Sequence, residues 1–271
     1  MTSPARFTDK VAFITGAARG QGRAEALRFA SEGADIIALD ACTEFDSTPY
    51  PGATDADLAE TVRLVEATGR RILATKTDVR DFDGLQSALT AGVAELGRLD
   101  FVIANAGICS TGRSWEITAQ AWQEMLDVNL TGVFHTAKAA VPILLKQGEG
   151  GSMVFTSSVA GLKGTPFFAA YAAAKHGITG LAKVMANELG QDRIRVNTVH
   201  PAGVATGMDM SSFQSLLADH ASTLGPIYMN ALPDQIIAPD EIAAVVAWLC
   251  SSEAKYLTGV QMPIDIGNLN R

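Results

Sequence analysis

The 271-residue sequence predicts an α/β fold, a single doubly wound parallel sheet with helices on both faces. Three observations carry this. Short apolar runs alternate with helical patterns along the chain, the order that builds βαβ units. A glycine-rich turn, Thr15-Gly16-Ala17-Ala18-Arg19-Gly20-Gln21-Gly22, joins the first run to the first helical pattern. The 48% of hydrophobic residues, against 18% charged, supplies a core large enough to exclude disorder. No internal repeat or linker divides residues 1–271, so one domain is expected.

The first strand is Val11 to Thr15, and the helical pattern behind the turn runs from Arg23 to Ser31. Strand, glycine turn and helix start together suit a nucleotide pyrophosphate. Glycine lets the backbone approach the phosphates, and free N–H groups at a helix N-terminus face the anion. Gly16, Arg19, Gly20, Gln21 and Gly22 are the candidates, although glycine turns also occur with no ligand. The second strand, Asp35 to Leu39, ends at Asp40, where a carboxylate can accept both ribose hydroxyls of adenosine. A carboxylate there repels a 2′-phosphate and favours NAD over NADP; Arg19 leaves the phosphorylated cofactor open. The plainer reading of Asp40 is a turn residue.

Residues 41–54 fit neither helix nor strand. They leave from Asp40 and carry Phe45 and Tyr50, with Pro49 and Pro51 to stiffen them, which suits either a cap over bound cofactor or surface decoration. A helix is expected from Asp55 to Thr68, stopped by Gly69, and a third strand from Arg71 to Thr77, ending at Asp78-Val79, where an adenine edge would lie. A helix from Asp81 to Leu96 closes at Gly97. The fourth strand, Phe101 to Ala104, runs into Asn105-Ala106-Gly107, small residues that let the chain pass close to a cofactor.

A long helix from Thr118 to Lys146 is expected, then a fifth strand from Ser152 to Thr156, a helix from Phe168 to Gly190, a sixth strand from Ile194 to Val199 and a last one at Gln261 to Ile264. The turn from His200 through Pro201, Val204 and Thr206 can present backbone groups to a nicotinamide carboxamide. Residues 207–238 follow it, with Met208, Met210, Phe213 and Tyr228 among many apolar side chains and little charge. They read as a lid over an apolar substrate, with Trp115 and Phe168 added to the pocket. Core packing accounts equally well for half of them.

Tyr171 and Lys175 lie four apart in a helical segment and so share a face. An isolated tyrosine titrates near pH 10, and a neighbouring ammonium favours its phenolate, moving it toward use as a base. Ser158, at a strand end, can hydrogen-bond a substrate oxygen. Asn129, within the long helix, can break its bonding and hold a water linking Lys175 to solvent. Each residue also has an ordinary structural reading. Their arrival in one chain, in this order behind the glycine turn, is what points to carbonyl or alcohol chemistry.

With 21 basic against 29 acidic residues the net charge is −8, and no basic run suggests nucleic acid or an anionic membrane as partner. Cys42, Cys109 and Cys250 show neither metal nor disulfide spacing and read as free thiols. No leader or run of 18 apolar residues is seen, so a cytoplasmic location is expected.

Over essentially its whole length the chain resembles the short-chain dehydrogenase/reductase family, through Thr15 to Gly22, Asn105-Ala106-Gly107, Asn129, Ser158, Tyr171 and Lys175. The resemblance implies a Rossmann-type fold, hydride transfer to or from a nicotinamide cofactor, and proton transfer by Tyr171. It implies that Ser158 polarises the substrate oxygen, that Lys175 tunes Tyr171 and binds the nicotinamide ribose, and that Asn129 completes a proton relay. Ala202 departs from the glycine usual after that proline. The run Asp40 to Cys42, then Tyr50 to Thr54 and Asp57 to Val62, is similar to the carveol-dehydrogenase-like branch. That implies NAD held without exchange and the redox carrier mycofactocin as electron acceptor; the apolar lid points to a hydrophobic secondary alcohol or ketone, terpenoid or steroid-like, and likeness to related enzymes implies a homotetramer. An exchanging 3-oxoacyl or steroid-type reductase is the alternative, and a non-catalytic NAD sensor a more distant one.

Overall fold

The structure, a computed structural model, describes residues 5–208 and 210–271. Met1 to Pro4, part of the segment searched for a leader, and Asp209 within the predicted lid lie outside the described residues.

The elements follow in order: β1 (Val11–Thr15), α1 (Gly20–Ser31), β2 (Asp35–Asp40), α2 (Asp55–Glu66), β3 (Ile72–Lys76), α3 (Phe82–Leu96), β4 (Phe101–Ala104), α4 (Ala119–Leu126), α5 (Gly132–Gln147), β5 (Gly151–Thr156), α6 (Ala169–Leu189), β6 (Ile194–Pro201), α7 (Ser211–Ala218), α8 (Ala221–Leu224), α9 (Pro239–Cys250) and β7 (Gln261–Ile264). The sheet runs β3-β2-β1-β4-β5-β6-β7, every pair parallel. The order reverses between β1 and β4, which opens a crevice at their carboxyl ends, where ligands bind in such sheets. The central strands are covered on both faces and read as continuous apolar runs. One core holds Phe13, Leu39, Leu89 and Phe155; the other holds Ile14, Ile36, Phe29 and Val246.

Local chemistry sets the element ends. Thr54 and Asp57 form a reciprocal capping box at the start of α2, and Asp81 caps α3 by accepting from the Gly84 N–H. Gly97 closes α3 at φ 89°, a conformation that favours glycine.

Two departures from the sequence reading matter. The expected helix from Thr118 to Lys146 is interrupted by a π-helical turn, Asp127–Thr131, with Asn129 inside it. Such turns form where a side chain enters the helix ladder, and the Asn129 amide does so by donating to the Met125 carbonyl at 3.0 Å. The stretch Ala119–Gln147 is long and apolar enough by composition to cross a membrane, yet it is half buried inside this fold. The second departure is α9, where the sequence reading assigned no element. Its Pro239 start, with Asp240 and Glu241 in the first turn, was a legible helix signal.

Candidate active site

The carboxyl ends of β1, β2, β3 and β4 form one groove. It is lined by Gly16, Arg19, Gly20 and Gln21 of the turn, by Asp40, by Asp78 and Val79, and by Asn105, Ala106 and Gly107. The turn is tightly held. The Asn105 side chain donates to the Thr15 and Gly16 carbonyls at 3.1 and 3.3 Å. Helix α1 receives no side-chain cap from Arg19 and has no acidic residue in its first turn, so its positive end faces the groove uncompensated. Gln21 Oε1 is buried without a partner among the described residues. An uncapped helix start, an orphaned acceptor and a carboxylate beyond the neighbouring strand fit a dinucleotide's pyrophosphate, amide and ribose.

Gly22 sits behind the turn and not in the groove: a Cβ there would lie 2.0 Å from the Gly16 carbonyl oxygen. Without a side chain at Gly22, helix α1 can pack closely behind the turn. Asp40 lines the groove and also serves the turn. Its carboxylate accepts from the Ala18 N–H at 2.9 Å and the Cys42 N–H at 3.0 Å, which fixes it at the groove wall. The Arg19 guanidinium donates to the Pro51 carbonyl at 2.6 Å, so it ties segment 41–54 to the turn. Asp78 is paired with Arg80, whose guanidinium lies 5.0 Å from the Phe45 ring centroid.

A second cavity, about 650 Å³, opens beside the first. Ser158, Tyr171, Lys175 and Asn129 all line it, as do Pro201, Val204 and Thr206. Lys175 is buried and donates to the Thr156 carbonyl at 2.7 Å, with its Nζ 5.4 Å from the Tyr171 ring centroid. Burial pushes the Tyr171 hydroxyl above the usual phenol range, while the hydrogen bond with Ser158 pulls the other way. Burial also lowers Lys175 to about 8. Burial is the largest cause of both shifts, because desolvation opposes the charge that each group would carry.

The Asn129 amide is committed to the backbone, donating to the Ile108 carbonyl at 3.0 Å and accepting from the Ile108 N–H at 3.2 Å. Its expected disruption of the helix is thus found, achieved through protein groups. His200 was read only as the opening of a turn. It is fully buried, with Nδ1 2.8 Å from the Ser158 carbonyl and Nε2 2.7 Å from Thr198 Oγ1. Burial lowers it to about 4. It therefore fixes the backbone of Ser158 as a neutral ring. The signal in the sequence was a polar residue ending an apolar strand.

The apolar end of this cavity carries Phe168, Phe213 and Tyr228, with ring centroids 4.7–6.5 Å apart. Met208 and Met210 join them. The segment over it docks on the chain's last residues: the Ala231 and Leu232 N–H groups donate to the Ile266 carbonyl, and Lys163 Nζ donates to the Ile227 and Asn268 carbonyls at 2.7 and 2.8 Å. Trp115, expected in the pocket, is 80% exposed and lies elsewhere.

A dinucleotide groove meeting an apolar cavity at a serine, tyrosine and lysine defines a nicotinamide-dependent oxidoreductase acting on alcohols or ketones. The chain belongs to the short-chain dehydrogenase family, whose model matches residues 10–216. It is 42% identical over 272 residues to (-)-trans-carveol dehydrogenase of Rhodococcus erythropolis, covering 97% of this chain and 98% of that protein. A short-chain dehydrogenase from Mycobacterium paratuberculosis bound to NAD superposes with a TM-score of 0.96 at 45% identity, covering 98% of this chain and all of that one. A carveol dehydrogenase from Mycobacterium avium in complex with NAD gives 0.92 at 45% identity, covering 98% and 99%. The protein is an NAD-dependent short-chain alcohol dehydrogenase/ketone reductase.

Proposed function

We propose that the protein interconverts a hydrophobic secondary alcohol, a carveol-like terpenoid or similar, with its ketone on an NAD that it does not readily release. The observation that carries this is the convergence of Ser158, Tyr171 and Lys175 where the groove meets an aromatic-walled cavity. When bound, NAD supplies a hydride acceptor or donor and, oxidised, a positive charge.

The chain's own residues do the rest. Gly16, Arg19, Gly20 and Gln21 cradle the pyrophosphate and Asp40 holds the ribose. Asp78 and Val79 flank the adenine, and Asn105 to Gly107 form the floor. Pro201, Val204 and Thr206 present the turn beside the nicotinamide. Ser158 Oγ orients the substrate oxygen, and the Tyr171 hydroxyl takes or returns its proton. Lys175 contributes positive charge near that hydroxyl. Phe168, Phe213 and Tyr228 exclude water and select an apolar body.

Segment 41–54 acts as a cap that slows cofactor exit, and mycofactocin, or a carrier of its kind, reoxidises the held cofactor. Exposed Trp122, Phe134 and Val184 on α4, α5 and α6 support assembly into a homotetramer through these helices.

The test is a denaturing extract of dialysed protein assayed for NAD(H), beside turnover with and without an artificial electron acceptor. Near-stoichiometric NAD with acceptor-dependent turnover supports the captive cofactor. Cofactor-free protein that repeatedly reduces added NAD refutes it and leaves an exchanging dehydrogenase.

A further inference from the structure

Segment 41–54 is bonded to the far bank of the cofactor groove. It leaves from β2, whereas Cys109 lies beyond β4, and β1 with its glycine turn stands between them in the sheet. The Cys109 N–H donates to the Tyr50 hydroxyl at 2.8 Å, so this side chain spans the carboxyl end of β1. Tyr50 is buried, and its segment is fixed at other points. The Gly52 N–H donates to Glu44 at 2.9 Å, and the Ser47 N–H to Glu124 at 2.9 Å.

The connection continues past Cys109. The preceding residue, Ile108, exchanges two hydrogen bonds with the Asn129 amide, which also holds the π-helical turn open. Gly107 fits between Asn129 and Lys175 with little room: a Cβ there would lie 2.7 Å from Asn129 Oδ1 and 3.4 Å from Lys175 Nζ. A shift of the backbone at 107–109 would strain the two Ile108–Asn129 hydrogen bonds and alter the packing beside Lys175. Close-packed interiors transmit such shifts.

We infer that Tyr50 is a positioning residue for proton transfer: its hydroxyl fixes the Cys109 backbone and, through Ile108 and Gly107, sets Asn129 and Lys175 beneath the catalytic tyrosine. The inference rests on the roles proposed for Tyr171 and Lys175. It extends them by making the inserted segment part of the chemistry as well as of cofactor retention. It also gives the hydroxyl at position 50 a role. A phenyl ring would fill the same volume but leave the buried Cys109 N–H unpaired, which is costly.

The test compares NAD-loaded wild type with Tyr50→Phe, Glu44→Ala and Tyr171→Phe. In Tyr50→Phe, kcat is expected to fall roughly tenfold to a hundredfold, with KM for the alcohol nearly unchanged. The midpoint of its kcat–pH profile moves, because the surroundings of Lys175 change. Glu44→Ala frees only the Gly52 N–H; it speeds NAD exchange and leaves that midpoint where it is. Hydrogen–deuterium exchange on unmutated protein gives a readout free of variants and turnover. On stripping NAD, amides in 105–110 and 127–131 should lose protection together with those in 41–54. Wild-type kcat and pH midpoint in a folded Tyr50→Phe protein would overturn the inference. Should that variant not fold, exchange at 105–110 that ignores the state of 41–54 would overturn it equally. Turnover by Tyr171→Phe would instead remove the roles on which the inference rests, so the two failures are distinguishable.

Discussion

Replacing Glu25 by glutamine is expected to stabilise the protein progressively as pH rises from about 4.5 to about 8. Glu25 lies on α1, fully buried, and neither carboxyl oxygen has a hydrogen-bond partner among the described residues. Burial raises it from 4.5 to about 8, so the folded protein keeps it protonated at neutral pH while the unfolded chain ionises it. Between those two values the folded state binds one proton more than the unfolded state. Stability therefore falls by about 1.4 kcal/mol per pH unit over that interval, is unaffected below it and falls no further above it. At pH 7 the accumulated penalty is about 3 kcal/mol. Glutamine has the same shape and the same lack of partners, so the neutral forms compare closely and only the ionisation penalty is removed. For a chain of this size that is worth roughly 6–12 °C in Tm. The assay is a melting series from pH 4.5 to 8.5 on both proteins, each saturated with NAD. The gap should be near zero at the acid end and widen toward pH 8. A gap independent of pH, or a less stable variant at pH 7, would refute the reasoning, because either would mean that Glu25 is charged and compensated in the fold.

Three further outcomes are expected. Tyr171→Phe should abolish turnover while NAD binding, followed by cofactor fluorescence, changes little; full activity would remove the mechanism. Asp40→Ala should weaken discrimination between NAD and NADP by roughly tenfold or more in kcat/KM, since a charge-assisted hydrogen bond contributes about 1.5–3 kcal/mol. Unchanged discrimination would refute the ribose assignment. His200→Asn should lower kcat through a loosened Ser158 and flatten the acid side of the stability curve. Burial depresses His200 to about 4, below the usual 6.5, so wild type loses stability as pH falls through that window because only the unfolded ring takes up the proton. Equal acid sensitivity in the variant would count against a buried neutral ring.

The sheet was legible because its strands are short apolar runs alternating with helical patterns. Val11–Thr15, Phe101–Ala104 and Gln261–Ile264 lie at the bounds the residues suggest. Chemistry spaced along one element was legible too: Tyr171 and Lys175 share a helix face whatever the rest of the chain does. What could not be read depends on distance across the fold. The balance between Lys175's charge and the burial of Tyr171 depends on walls contributed by several elements. The hydrogen bond from the Cys109 backbone to Tyr50 joins residues 59 apart, and no spacing encodes it. The tight packing at Gly22 belongs here too, because only the folded turn shows the Gly16 carbonyl lying where a side chain would be.

The docking of residues 225–232 on Ile266–Asn268 bears on the order in which the protein is made. During synthesis the strands that build the cofactor groove, β1 to β4, are complete once Ala104 has emerged, so that half can begin to fold early. The wall of the substrate cavity is completed later, because the Ala231 and Leu232 N–H groups have no acceptor until Ile266 arrives. A growing chain would thus have the pyrophosphate and adenosine end of its cofactor groove before it has a closed wall against which to hold an alcohol.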